Sequence, residues 1–223
     1  QKGLELAGGE WILQLDADER VTPKLAHEIK EVIEMNYEQL KKRRTQILKK
    51  NSIFERHQRL IEQRDGPIGK ETGEVMAFFI PRVNYFLGKP LIHAGVYPDG
   101  VIRLVMKGRA SFPQKSVHEQ INVNGEVSWL ENPLEHHDSP TLTKYFKRLN
   151  RYTDLQAKEL KNKRTPKNLW NFSKFSFLLP TYYFLLLYVR HKGFLDGGRG
   201  LLWSFFSALH YPVAYFKYWT KMR

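Results

Sequence analysis

The chain has no cysteine at all in its 223 residues. Disulfide frameworks, thiolate zinc sites and cysteine nucleophiles are therefore excluded, and a reducing compartment suits such a composition. Methionine is scarce, at four residues. Gln1 rather than Met opens the chain, with no basic segment followed by an apolar one. The expectation is a piece of a longer protein without a secretory leader. Long apolar runs are short of what a spanning helix needs: Phe175 to Val189 is interrupted by Pro180, and Gly200 to Phe216 by Pro212. What is present is the balance of a folded chain, 42% hydrophobic and 26% charged residues.

The net charge of +13 is unevenly placed. Residues 1–140 hold 20 Lys/Arg against 20 Asp/Glu, whereas residues 141–223 hold 16 against 3 and 20 of the 30 aromatics. Two regions follow, a neutral one over 1–140 and a basic, aromatic one over 141–223. Within the first, residues 24–64 read as helix, opened by Thr22-Pro23 and carrying scattered apolar points among charges. Lys41-Lys42-Arg43-Arg44 and Lys49-Lys50 there read as a solvated face of a helical insertion spanning about residues 36–72.

Trp11 to Leu15 follows a Gly-Gly turn and reads as a buried strand of a parallel sheet. The chain then turns acidic, in Asp16-Ala17-Asp18-Glu19. In extended backbone Asp16 and Asp18 leave on one face. At the carboxyl end of a strand such a pair suits a hard divalent cation, Mg²⁺ or Mn²⁺, completed by water and phosphate oxygens. The competing reading is an acidic turn ahead of the helix that begins at Pro23.

The segment Gly9-Glu10-Trp11-Ile12-Leu13-Gln14-Leu15-Asp16-Ala17-Asp18-Glu19 resembles the strand and Asp-x-Asp motif of family 2 glycosyltransferases of the GT-A fold. Ile80-Pro81-Arg82-Val83-Asn84-Tyr85-Phe86-Leu87-Gly88-Lys89 is similar to a segment of the branch that includes lipopolysaccharide core β-glucosyltransferases. Tyr97-Pro98-Asp99 with Arg103-Leu104, Val117-His118-Glu119, His136, Leu149-Asn150-Arg151-Tyr152-Thr153, and Phe194-Leu195-Asp196-Gly197 with Gly200 follow in the same order. The likeness covers nearly the whole chain apart from about residues 36–72.

The resemblance implies an α/β GT-A catalytic domain over 1–140 that lacks its first strands, with a helical region over 141–223. It implies an inverting enzyme that moves a hexose from a nucleotide-diphosphate sugar to a hydroxyl of a glycan or glycolipid. It places the general base in the part of the chain that holds Glu119. Asp16 and Asp18 would hold the metal, with Asp16 near metal or donor ribose. His118 and His136 would approach metal or donor phosphate, and Asp99 the acceptor. Arg103 suits bidentate pairing with a phosphate or a sugar carboxylate, or else a structural ion pair. The His118-Glu119 pair is not a zinc-protease motif, because Asn122 stands where its second histidine would be. His137 reads as a surface residue.

The tail suggests two short helices lying in the cytoplasmic leaflet of the cell membrane, its cations drawn to anionic lipid. The competing readings are helices that only pack on the catalytic domain, and a non-catalytic relative that binds lipid or nucleic acid. Against nucleic acid, the aromatics lie inside aliphatic stretches such as Phe184-Leu185-Leu186-Leu187-Tyr188, where stacking platforms are buried. Transfer to a polyprenyl phosphate is the alternative reaction; it needs a basic acceptor pocket rather than a general base.

Overall fold

The computed structural model describes residues 2–111 and 121–221. The chain is mixed α/β, 55% helix and 20% strand, with a curled mixed sheet. It divides into two compact units, residues 1–83 with 98–136, and residues 84–97 with 137–223. The sequence suggests a single boundary at 140; the structure moves the break to 136 and takes residues 84–97 into the second unit.

In the first unit, β1 (Trp11–Leu13), β5 (Asp99–Met106), β3 (Val75–Phe86), β9 (Leu134–Ser139) and β2 (Glu19–Val21) lie side by side in that order. β8 (Glu126–Trp129) pairs β3 in parallel. β1 is half-buried and antiparallel to β5, with Trp11 opposite Met106 and Leu13 opposite Leu104. This corrects the expectation of a buried parallel strand: an apolar run this short carries no directional signal.

β1 and β2 are the two ends of the strand path, yet only residues 14–18 join them. Four interstrand steps in a flat sheet span about 19 Å. The linker contains a turn closed by the Glu19 N–H donating to the Asp16 carbonyl at 3.0 Å, so it cannot be fully extended. The sheet must curl to bring its ends together.

β3 supplies the core on both faces, because Val75 through Ile80 are all essentially inaccessible. Phe78, Ile80 and Val75 meet Leu25 and Val32 of α2 (Pro23–Glu34). Met76 and Phe79 meet Ile47, Phe54 and Ile61 from α3 (Tyr37–Lys50) and α4 (Ser52–Asp65). Thr22 caps α2 by accepting from the Leu25 N–H at 3.1 Å, as the Thr-Pro pair suggests. Asn36 and Gln39 form a capping box that starts α3 and splits the helical stretch.

The reading of the basic runs as a solvated face holds for Lys41, Lys42, Lys49 and Lys50, which are exposed, but not for Arg43 and Arg44. Arg43 donates to the Trp129 carbonyl at 2.7 Å and pairs with the buried Glu28, and Arg44 pairs with Glu126 at 3.1 Å. Helical periodicity places Leu40, Ile47, Phe54 and Ile61 on the inner side, but the density of charge around them hides it.

Thr141 caps α5 (Leu142–Asn162) in the second unit. Phe86, Leu91 and Tyr145 form one core with Leu202, Trp203 and Phe206; Ala157, Leu160, Tyr215 and Tyr218 form another with Phe172 and Phe175. Neither proline breaks its helix. Leu169–Arg190 is one helix, long and apolar enough to cross a membrane, and Gly197–Lys221 runs through Pro212. A π turn over Lys174–Leu178 immediately precedes the segment holding Pro180, and its wider winding relieves the clash and the lost hydrogen bond.

Asp196, from the Phe194-Leu195-Asp196-Gly197 segment, accepts from the His93 N–H at 2.8 Å and meets His93 Nδ1 at 2.9 Å. It thereby pins the loop after β4 (Lys89–Leu91).

Trp129 is stacked between Phe54 and Phe79, with both ring centroids 4.6 Å away. Gly100 lets β5 pass against this ring: a Cβ there would meet Trp129 Cη2 head-on, and Cζ3 at 2.7 Å. Gly100→Ala is expected to destabilise the protein by about 1–3 kcal/mol through overpacking. Urea denaturation followed by tryptophan fluorescence measures this; unchanged stability would show that the Trp129 sandwich yields freely.

Candidate functional site

The strand order collects charge from four strands. Cross-strand register sets Arg82 of β3 opposite Asp99 of β5, and Glu19 of β2 opposite His136 of β9. Arg103 sits at a bulge of β5, without a partner across the ladder between Ile102 opposite Phe79 and Leu104 opposite Phe78, which takes it out of the strand's simple alternation.

Glu19 is the hub. Its side chain is 0% exposed, and its Oε1 accepts from Arg82 Nη1 at 3.2 Å, Arg103 Nε at 3.2 Å and Arg103 Nη2 at 2.7 Å. Its Oε2 accepts from the Asp16 N–H at 3.0 Å. A buried carboxylate survives only when paired and hydrogen-bonded, and this one meets two guanidiniums. Arg103 also pairs with Asp16, and Arg82 Nη2 donates to Asp99 at 2.7 Å. Arg82 Nε is buried and has no partner among the described residues.

Asp16 and Asp18 sit where the linker turns. Asp16 goes to Arg103, whereas the Asp18 carboxylate lies 3.6 Å from His136 Nε2. The expectation of two parallel carboxylates on extended backbone is thus corrected, because the chain bends between them. Both are accessible, with side chains 52% and 36% exposed. Burial lowers the His136 pKa below its ordinary value, and Arg82 adds to the effect. Asp18, Glu19 and Asp99 oppose it without prevailing. The imidazole is therefore neutral near pH 7 and able to offer a lone pair.

Four carboxylates and two guanidiniums make this cluster, a formal excess of two negative charges. Such an excess beside accessible carboxylates suits a divalent cation. Among the described residues no three His, Asp or Glu side chains converge into a metal cage. The donor set fits a cation held through one or two protein ligands, its shell completed by water and phosphate oxygens, as Mg²⁺ prefers.

The structure thus brings together Asp16, Asp18, Asp99, Arg103 and His136. His118 and Glu119 lie outside the described residues. His137 is partly exposed and stacks on Tyr85 within the second unit, with ring centroids 4.2 Å apart. Glu19 and Arg82 carry the network, although sequence reasoning assigned neither a role. Arg82 leaves a signal, a lone cation directly after the run Phe78-Phe79-Ile80-Pro81. Glu19 leaves none, since it reads as one more acid in an acidic turn. No protein-family model matches the chain.

Glu19→Gln removes the charge that two buried guanidiniums share, and is expected to cost about 3 kcal/mol of stability. Lys50→Gln, at the exposed pair with Glu131, is expected to cost less than about 1 kcal/mol. Chemical denaturation of both variants checks the contrast; equal effects would remove Glu19 from its central place. The His136 ring proton resonance is expected to titrate below the ordinary 6.5. With the folded pKa depressed, the folded state binds fewer protons than the unfolded one. Its contribution to stability is complete above about pH 6.5 and is lost as pH falls through the folded pKa.

Proposed function

We propose that the first unit belongs to an inverting glycosyltransferase of the GT-A type. It would transfer a hexose from a nucleotide-diphosphate sugar to a hydroxyl of a glycan or glycolipid of the cell envelope. One observation carries the reading: Asp16, Asp18, Arg82, Arg103, Asp99 and His136 meet at one end of the curled sheet. All of them lie in the segments that resemble family 2 enzymes.

The cluster has the parts that a diphosphate leaving group requires. Arg103 is held on its inner side by Glu19, and its pairing with the half-exposed Asp16 can be exchanged for a phosphate oxygen. Arg82, fixed between Glu19 and Asp99, adds positive potential without leaving its place. Asp18, with His136 or Asp16 beside it, would hold Mg²⁺ or Mn²⁺. When bound, such an ion neutralises developing charge on the diphosphate.

In the reaction, the acceptor oxygen attacks the anomeric carbon from the face opposite the diphosphate. The bond to the diphosphate oxygen breaks with its electron pair going to the leaving group. The hydroxyl proton goes to a carboxylate, for which Glu119 is the assignment and Asp99 the next in line.

The test uses the full-length protein and follows nucleotide diphosphate release with a hydroxyl acceptor. Asp18→Ala is expected to lower turnover by about 10²–10³-fold with the fold retained. Glu119→Gln is expected to lower it by about 10²–10⁴-fold while donor binding stays nearly unchanged. Glu119→Asp keeps part of the activity. Undiminished turnover of Asp18→Ala, or in excess EDTA, overturns the metal role. If Glu119→Gln weakens donor binding and spares the rate at saturation, Glu119 belongs to the donor site.

A further inference from the structure

The helix Leu169–Arg190 turns one side inward and leaves the other to solvent. On the inner side Phe175 stacks on Tyr215 with centroids 4.9 Å apart, and Tyr183 meets Tyr211 at 4.5 Å. On the outer side Trp170, Phe177, Leu178, Tyr182, Leu185 and Val189 are each at least 50% exposed. Their spacing follows one stripe of a helix. Phe194 and Leu195, in the turn that follows, continue the exposed apolar surface at 48% and 56%. A soluble monomer does not ordinarily leave so large a contiguous patch to water.

Cations accompany this stripe. Lys174, four residues from both Trp170 and Leu178, falls along the stripe itself with its Nζ 5.7 Å from the Phe175 ring, and Arg190 and Lys192 close the far end. Residues 141–223 as a whole carry 16 Lys/Arg against 3 Asp/Glu. An aromatic and aliphatic stripe with accompanying cations matches the headgroup level of an anionic bilayer.

At about 1.5 Å per residue the helix is about 33 Å long, enough to span the hydrocarbon layer. Its inner side argues against spanning. The last helix, Gly197–Lys221, packs along it and is tied by Lys217 to Asn150, Thr153 and Asp154 of α5. α5 carries Lys144, Lys147, Arg151, Lys158 and Lys161, all exposed. Spanning would draw this charged helix toward the hydrocarbon, whereas lying flat presents only the apolar side.

We infer that the second unit docks on anionic membrane through helix 169–190, which lies in the plane of the bilayer surface with Trp170, Phe177, Leu178, Leu185 and Val189 inserted. This inference stands on the exposed stripe and its charge, independent of the transfer reaction.

The chain has no cysteine, so single cysteines at Leu178, Leu185 and Val189 can each carry a spin label without background. With the full chain on phosphatidylglycerol-rich vesicles, depth measured by relaxation against oxygen and a nickel chelate is expected to be shallow and alike at all three. A depth that falls steadily from 178 through 185 to 189, as along a helix that crosses the bilayer, overturns the in-plane placement. Phe177→Ser with Leu185→Ser, both exposed, is expected to weaken vesicle binding by about 10–100-fold with an unchanged circular dichroism spectrum. Arg190→Gln with Lys192→Gln is expected to weaken it about 5-fold per cation, with the dependence lost on pure phosphatidylcholine. Unaltered flotation of these variants, or a stripe covered by a second copy in a lipid-free dimer, overturns the proposal.

Discussion

One buried carboxylate sets the terms for the first unit. Glu19 enters the interior with no exposed side-chain surface, and an isolated charge there would be untenable. It is tolerated because Arg82 and Arg103 arrive from β3 and β5, strands far from it in sequence. Once they are committed, their remaining donors are aimed at Asp99 and Asp16. The curl of the sheet, the place of the acidic turn and the orientation of the site arginines therefore depend on one another. None of them can be moved singly without stranding a charge.

Much of this was legible in the sequence, for reasons that differ residue by residue. Thr22-Pro23 announces its helix because capping is a local interaction, complete within four residues. The acids at Asp16 and Asp18 stand out because they end an apolar run. Strand direction was not legible, since β1 is three residues long and its partner β5 lies about ninety residues away. Nor was the share of α3 and α4 in the core, because the inward apolar residues Leu40, Ile47, Phe54 and Ile61 come only every seventh position among lysine and arginine. Pro180 and Pro212 misled for the opposite reason. Their local cost is real, but a π turn and packing between helices absorb it.

Glu28 repeats the logic of Glu19 on a smaller scale. Nearly buried, it accepts from the Glu131 and Asn132 backbone N–H groups at 2.7 and 2.8 Å and pairs with Arg43. It thereby anchors the turn between β8 and β9, and β9 carries His136 to the site. A basic run that reads as surface charge thus contributes one of its members to each of two internal pairs, at Glu28 and at Glu126. Charge counted along the sequence says how many such pairs are available, but only the fold says which are inside.

The two stretches of the sequence, before and after residue 140, use charge in contrasting ways. In residues 1–140 the signs balance, and the cations at the sheet end are consumed by carboxylates, leaving accessible acids at the rim. In residues 141–223 the cations far exceed the acids, so most have no carboxylate to meet within the same stretch of chain. A cluster of mostly paired charges, here with a small acidic excess, holds a geometry. An unbalanced one attracts counter-charge at longer range and is satisfied only by a partner that brings it, which is what an anionic surface supplies.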